Sequence, residues 1–206
     1  MYVPAHFAET RTDVLHDAIR RIGFATLVTH GADGIEASHV PMLLEPEPQP
    51  YGTLIGHIAR ENPQWRRAAG ESLAIFLGPD TYVSPAWYPT KKQNGKVVPT
   101  WNYVAIHAYG RASFFDEPER LKALVTRLTE THEAGRPAPW AVSDAPADYI
   151  AMMLQAIVGF VLPIARLEGK WKMSQNRPPA DRAAVARTLA AAGEDEIAQM
   201  IAAPKP

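Results

Sequence analysis

Phe24-Ala25-Thr26-Leu27-Val28-Thr29-His30, then Gly31-Ala32-Asp33-Gly34, then Ile35-Glu36-Ala37-Ser38-His39-Val40-Pro41-Met42-Leu43-Leu44, is the stretch from which the fold is read. The first run is rich in β-formers, the glycine-flanked tetrapeptide is turn chemistry, and the third run resumes an extended pattern. This predicts a β-hairpin. Upstream, Val14, Leu15, Ala18, Ile19 and Ile22 share one helical stripe, with Thr12 as a cap and Gly23 as a stop, so a helix is expected over 12–22. Downstream, Pro46, Pro48 and Pro50 break the chain before a third strand over 51–59.

Further strands are read at 72–77, closed by Gly78-Pro79, over the long β-like segment 97–115 with Gly110 as a bulge or close approach, and over 157–167. A short helix follows Pro63, a longer one carries Leu121, Leu124, Val125 and Leu128, a brief one lies near 148–154, and one alanine-rich helix is expected over 181–201. About six strands with few helices between them leave no room for repeated βαβ crossovers, which favours a mostly antiparallel barrel over a doubly wound sheet. The chain reads as one domain, 1–206, with a helical tail from about residue 178.

Composition narrows the chemistry. With 206 residues, 47% apolar and 21% charged, the chain can bury a substantial core. A formal net charge of −1 gives no general pull toward nucleic acid or anionic membrane, so DNA binding would need a local basic patch. The absence of cysteine removes disulfides, thiolate catalysis and cysteine-rich zinc sites. No secretory leader or membrane-spanning run is read, so a cytoplasmic location is expected. Gly-rich phosphate loops, dinucleotide fingerprints, His-Glu-x-x-His and Gly-x-Ser-x-Gly are all missing, and His132-Glu133 lacks a second histidine. Chemistry, if any, would come from a cofactor.

Two segments concentrate polar side chains beside apolar strands. After the run that ends at Leu167 comes Gly169-Lys170-Trp171-Lys172-Met173-Ser174-Gln175-Asn176-Arg177. Lys172 and Arg177 offer charge, Ser174, Gln175 and Asn176 offer donors and acceptors, and Trp171 offers a flat apolar surface, a set that suits an anionic ligand. The plain structural alternative is a helix start at Pro178-Pro179 capped by Asn176. In the second segment, His57, Arg60 and Asn62 stand where a strand passes into a short helix, a plausible phosphate seat, although Arg60 could lie on the surface and Asn62 simply cap the helix. Ser38-His39-Val40-Pro41 alternates faces along a strand, and Trp101 and Tyr103 share the face opposite Thr100 and Asn102, able to pack on a planar ring or fill the core.

Met1-Tyr2-Val3-Pro4-Ala5-His6-Phe7, Ser38 to Pro41, Gly56-His57-Ile58-Ala59-Arg60-Glu61-Asn62-Pro63-Gln64-Trp65, Gly78-Pro79-Asp80-Thr81-Tyr82-Val83-Ser84-Pro85-Ala86-Trp87-Tyr88, Val98-Pro99-Thr100-Trp101-Asn102-Tyr103 and Lys170 to Arg177 occur in an order that resembles the PaiB-type FMN-binding negative transcriptional regulators. Met173 stands where leucine is expected, a mild apolar swap. The resemblance implies a mainly β, six-stranded antiparallel split β-barrel with flanking helices, of the pyridoxamine-phosphate-oxidase type. It also implies a homodimer with FMN at the subunit interface, and repression of genes for degradative enzymes and sporulation.

On that resemblance Arg60, with His57 and Asn62, would hold the FMN phosphate. Lys172, Gln175, Asn176 and Arg177 would reach phosphate, ribityl chain or ring edge, while Ser38, His39, Val40 and Pro41 with Trp101, Asn102 and Tyr103 would border the flavin ring. Direct DNA binding has little sequence support, because the helix ending at Gly23 runs straight into a strand and only Arg66, Arg67 and Lys91 to Lys96 are obvious basic groups. An FMN-dependent oxidoreductase using NADH or NADPH is the alternative, and a haem protein ligated by His39, His57 or His107 a further one.

Overall fold

In the computed structural model, which describes residues 1–203, the chain forms a mainly antiparallel β-sheet with flanking helices. The strands are β1 (Ala8–Glu9), β2 (Phe24–Gly31), β3 (Gly34–Glu45), β4 (Thr53–Ala59), β5 (Ala69–Val83), β6 (Thr100–Gly110), β7 (Ser113–Phe115) and β8 (Ile157–Lys172). The helices are α1 (Thr12–Ile22), α2 (Gln64–Arg67), α3 (Lys91–Asn94), α4 (Pro118–Glu133), α5 (Ala147–Gln155), α6 (Pro179–Ala191) and α7 (Asp195–Ala202). The sheet order is β1-β8-β4-β3-β2-β5-β6, β7 pairs with β8, and β8 also pairs with β6.

The hairpin forms as its sequence requires: β2 and β3 run from Phe24↔Pro41 to Gly31↔Gly34, with Ala32-Asp33 as the connection and Gly34 at φ 110°. Helix α1 buries Leu15, Ala18 and Ile19, and the N–H of Gly23, at φ 61°, closes it by donating to the Ile19 carbonyl. Strand β4 is buried along most of its length because it pairs with β3 on one side and β8 on the other. Gly110 is indeed a close approach: a Cβ there would stand 2.1 Å from the Pro163 carbonyl oxygen.

Several expectations are corrected. The sheet has eight strands rather than six, because β1 and β7 are only two and three residues long and carry no readable periodicity. Strand β5 does not stop at Gly78-Pro79 but continues to Val83, since proline interrupts a strand only where its missing N–H must pair. Strand β8 does not end at Leu167 but runs on to Lys172, so it includes the first part of the 169–177 segment. The single terminal helix is two, because Gly193 takes φ 84° and ends α6. The last three residues of the expected tail lie outside the described residues.

By compactness the chain falls into two units. One comprises residues 1–11, 77–106 and 168–203; the other comprises 12–76 and 107–167. The core of the first gathers Val83, Tyr88, Val104 and Met173 with Val185, Leu189, Ile197 and Ile201 of the terminal helices. In the second, α4 and α5 contribute Leu121, Leu124, Leu128 and Leu154 to a cluster with Ile55 and Phe115. Leu121, Leu124 and Leu128 recur at the helical spacing that aligns them on one face of α4.

Candidate functional site

In the first unit, β8 delivers Lys170 and Lys172 two residues apart, on one side of the strand. Lys170 is buried, its ammonium donates to the Tyr2 carbonyl at 3.2 Å, and it stands 5.2 Å from the centre of the Tyr103 ring. Lys172 donates to Thr100 Oγ1 and to the Trp101 carbonyl at the start of β6. The chain then turns through Ser174, a non-glycine residue at φ 61°, and the Arg177 N–H donates to the Ser174 carbonyl at 2.9 Å. Asn102 is fully buried and donates to Ser174 Oγ at 2.9 Å, pinning the turn to β6. The Gln175 amide folds back onto its own segment, accepting from the Met173 N–H at 2.7 Å and donating to the Trp171 carbonyl at 2.6 Å. Gln175 therefore shapes the turn, while Asn176 is exposed at its tip.

The Arg177 guanidinium lies over the Tyr88 ring at 4.7 Å. Burial and the positive charges of Lys170 and Arg177 push the Lys172 amine below its ordinary value. Among the described residues none of Lys170, Lys172 and Arg177 forms an ion pair with a carboxylate. Lys172, repelled by Lys170 and Arg177, and the two cations themselves, all partly withdrawn from water and none in an ion pair among the described residues, suit an anion with several oxygens. Beside them Trp101 is 54% exposed, its ring edge-on to the half-exposed Tyr82 at 6.1 Å, while Tyr103 is half-buried. This apolar surface suits a planar ring.

The second unit holds the other expected residues, differently engaged. Asn62 donates to Ser38 Oγ at 2.7 Å and accepts from the Gln64 N–H at 3.0 Å, one residue before Pro63, which occupies the N-cap of α2. His39 is exposed and bonds Thr26 Oγ1 through Nδ1 at 2.9 Å; Val40 is buried in the sheet and Pro41 half-buried beside it. The His57 imidazole has a buried Nδ1 without a hydrogen-bond partner, and burial pushes its pKa down.

All three Arg60 nitrogens have protein acceptors: Nε donates to the Gln155 carbonyl at 2.6 Å, Nη1 to Asp116 at 3.0 Å and Nη2 to the Ile157 carbonyl at 3.2 Å. The adjoining cleft of about 250 Å³ is lined by Arg60 and Lys122 and by Asp116 and Glu119, two carboxylates that offset the two cations. Helix α2 is a single turn, four residues long, and carries little dipole. Lys170 was missed in the sequence although its position, two residues before Lys172 in an extended run, is the signal that places both on one face.

A family profile described as "Putative FMN-binding domain" matches residues 1–166. The chain belongs to this FMN-binding family. FMN is accordingly the cofactor that membership assigns to it. The chain is 33% identical to protease synthase and sporulation protein PAI 2 of Bacillus subtilis, over 88% of this chain and 85% of that one. It is 36% identical to an uncharacterised protein of Aspergillus fumigatus, over 90% and 89% of the two chains. The fold is shared with Rv2991 of Mycobacterium tuberculosis, at a TM-score of 0.59, 14% identity and coverage of 86% of this chain and 94% of that one. It is shared also with the flavocytochrome Anf3 of Azotobacter vinelandii, at a TM-score of 0.58, 11% identity and coverage of 82% and 72%. Among the described residues no helix is long and apolar enough to cross a membrane.

Proposed function

We propose that the FMN phosphate rests on Lys170, Lys172 and Arg177, with the isoalloxazine ring against Trp101, and that the FMN-loaded protein is a homodimeric negative regulator of gene expression like the PaiB-type proteins it resembles. In this reading the sheet closes into a split barrel through the pairing of β8 with β6. The observation that carries the proposal is the group of three cations without a carboxylate partner, two of them on one strand face and the third turned back over Tyr88. The donor set fits FMN: ammonium and guanidinium groups for a phosphate dianion, and an exposed indole for the ring. Bound FMN supplies hydride or one-electron chemistry. The chain's own part is to hold the phosphate, orient the ring and cover one side of it.

Regulation through a partner or metabolite is favoured over direct operator binding. Helices α6 and α7 follow one another across a short turn, but α7 opens with Asp195-Glu196 and contains no lysine or arginine, so it repels a phosphate backbone. Freshly purified protein should show flavin absorbance near ~450 nm and release FMN identifiable by mass spectrometry. Failure to take up flavin when titrated with saturating FMN overturns the reading. A salt-sensitive gel shift on the protein's own promoter region would instead overturn the preference for an indirect mechanism.

A further inference from the structure

Asp181, on the first turn of α6, is fully buried, and its carboxylate accepts from both Thr90 Oγ1 at 2.7 Å and the Thr90 N–H at 3.1 Å. A buried carboxylate meeting two donors of one residue fixes that residue's backbone as well as its side chain. Thr90 lies two residues after Tyr88, and the Lys91 N–H donates to the Tyr88 carbonyl at 3.1 Å, so the clamp sets the segment that carries the Tyr88 ring. That ring is 2% exposed and lies beneath the Arg177 guanidinium at 4.7 Å. Arg177 is itself joined to α6 through Pro178, whose carbonyl accepts from the Asp181 N–H at 3.0 Å. Both the backbone of Arg177 and the surface it lies on therefore trace to the first turn of α6.

We propose that Thr90 and Asp181 are positioning residues for phosphate recognition: their clamp holds Tyr88 where its ring aims Arg177 at the phosphate of the bound flavin. The inference rests on the reading that the phosphate sits on Lys170, Lys172 and Arg177. Neither Thr90 nor Asp181 touches the ligand in this scheme. No spacing or motif connects their two segments, the one before a lysine-rich turn and the other in an alanine-rich helix.

The test compares affinities for FMN and riboflavin, which differ by the phosphate alone. General loss of stability lowers both affinities together, whereas a misdirected Arg177 lowers only that for FMN. Arg177→Ala and Lys172→Met should each reduce the FMN-to-riboflavin preference by about tenfold or more. Thr90→Val, which keeps the backbone bond and loses the hydroxyl, should reduce it by about three- to tenfold, and Asp181→Asn by a similar factor. Thr90→Ser, which retains the hydroxyl, should restore the wild-type preference. If Thr90→Val is folded by circular dichroism and keeps the wild-type preference while Arg177→Ala loses it, the clamp has no part in recognition and the phosphate site stands. If Arg177→Ala and Lys172→Met leave the preference unchanged, the phosphate site itself is wrong and the clamp falls with it. Thr90→Val decides the matter even if Asp181→Asn does not fold.

Discussion

Lys172 is the residue at which burial and charge argue most directly for a ligand. Its ammonium is held below the ordinary lysine value of 10.5 by desolvation first and by Lys170 and Arg177 second. An ordinary structural lysine would have a carboxylate beside it, whereas this one has a hydroxyl and a carbonyl. Lys172→Met should weaken FMN binding by about 1.5–3 kcal/mol, the usual worth of a hydrogen bond to a charged group, as measured by flavin fluorescence titration. The lowered value also sets a pH dependence. In the ligand-free protein folded Lys172 sheds its proton before the unfolded chain does, so between its depressed pKa and 10.5 the unfolded state binds more protons and stability from this group rises with pH. FMN, which needs the charged amine, should bind more weakly as pH climbs through the same window, and this alkaline limb should flatten in Lys172→Met. His57 acts at the other end of the scale. Its imidazole is neutral and desolvated when folded, so stability is lost as pH falls below 6.5 and the unfolded chain takes up the proton first. Thermal melts of His57→Gln should show a shallower acid limb than wild type.

At the scale of elements, Arg60 meets protein acceptors on all three of its nitrogens. Its guanidinium ties the end of β4 to the carbonyls of Gln155 and Ile157, where α5 passes into β8, and to Asp116 before α4. Arg60→Ala should therefore lower stability by about 1–2 kcal/mol in denaturant titration, through loss of bonds to two carbonyls and an exposed carboxylate, while the FMN affinity of the folded fraction stays at the wild-type level. A selective loss of FMN affinity with unchanged stability would return Arg60 to the phosphate. The sequence could not show this, because the acceptors are backbone carbonyls roughly a hundred residues away and a carbonyl has no sequence signature. What was legible was local: α1 with its Gly23 stop, the β2-β3 hairpin, the α4 stripe and the close approach at Gly110 each follow from a spacing or a turn residue. What was not legible depended on distant partners. Strand β1 exists because Ala8 and Glu9 find Lys170 and Gly169, β7 because it meets β8, and the turn after β8 is held by Asn102. Lys172 and Arg177 could be picked out by charge alone, whereas the roles of Tyr88, Thr90 and Asp181 depend on contacts that only the folded chain creates.

For the whole molecule, repulsion of Lys172 by Lys170 and Arg177 opposes folding of the ligand-free protein, and an anion that neutralises these cations adds stability by binding only the folded state. At a free FMN concentration of about a hundred times Kd this amounts to roughly 2.7 kcal/mol, which for a chain of about two hundred residues raises Tm by around 5–10 °C. Riboflavin at the same multiple of its own Kd should give an equal shift, because linkage depends on saturation and not on which groups make contact. At equal absolute concentration riboflavin should do far less, since it lacks the phosphate that those cations meet. Inorganic phosphate alone should raise Tm at millimolar concentration, and Lys172→Met should start from a higher ligand-free Tm, one of the three like charges being gone. A melt of that variant no higher than wild type, with phosphate ineffective on both, would show that the cations are not in conflict and that the anion they imply binds elsewhere.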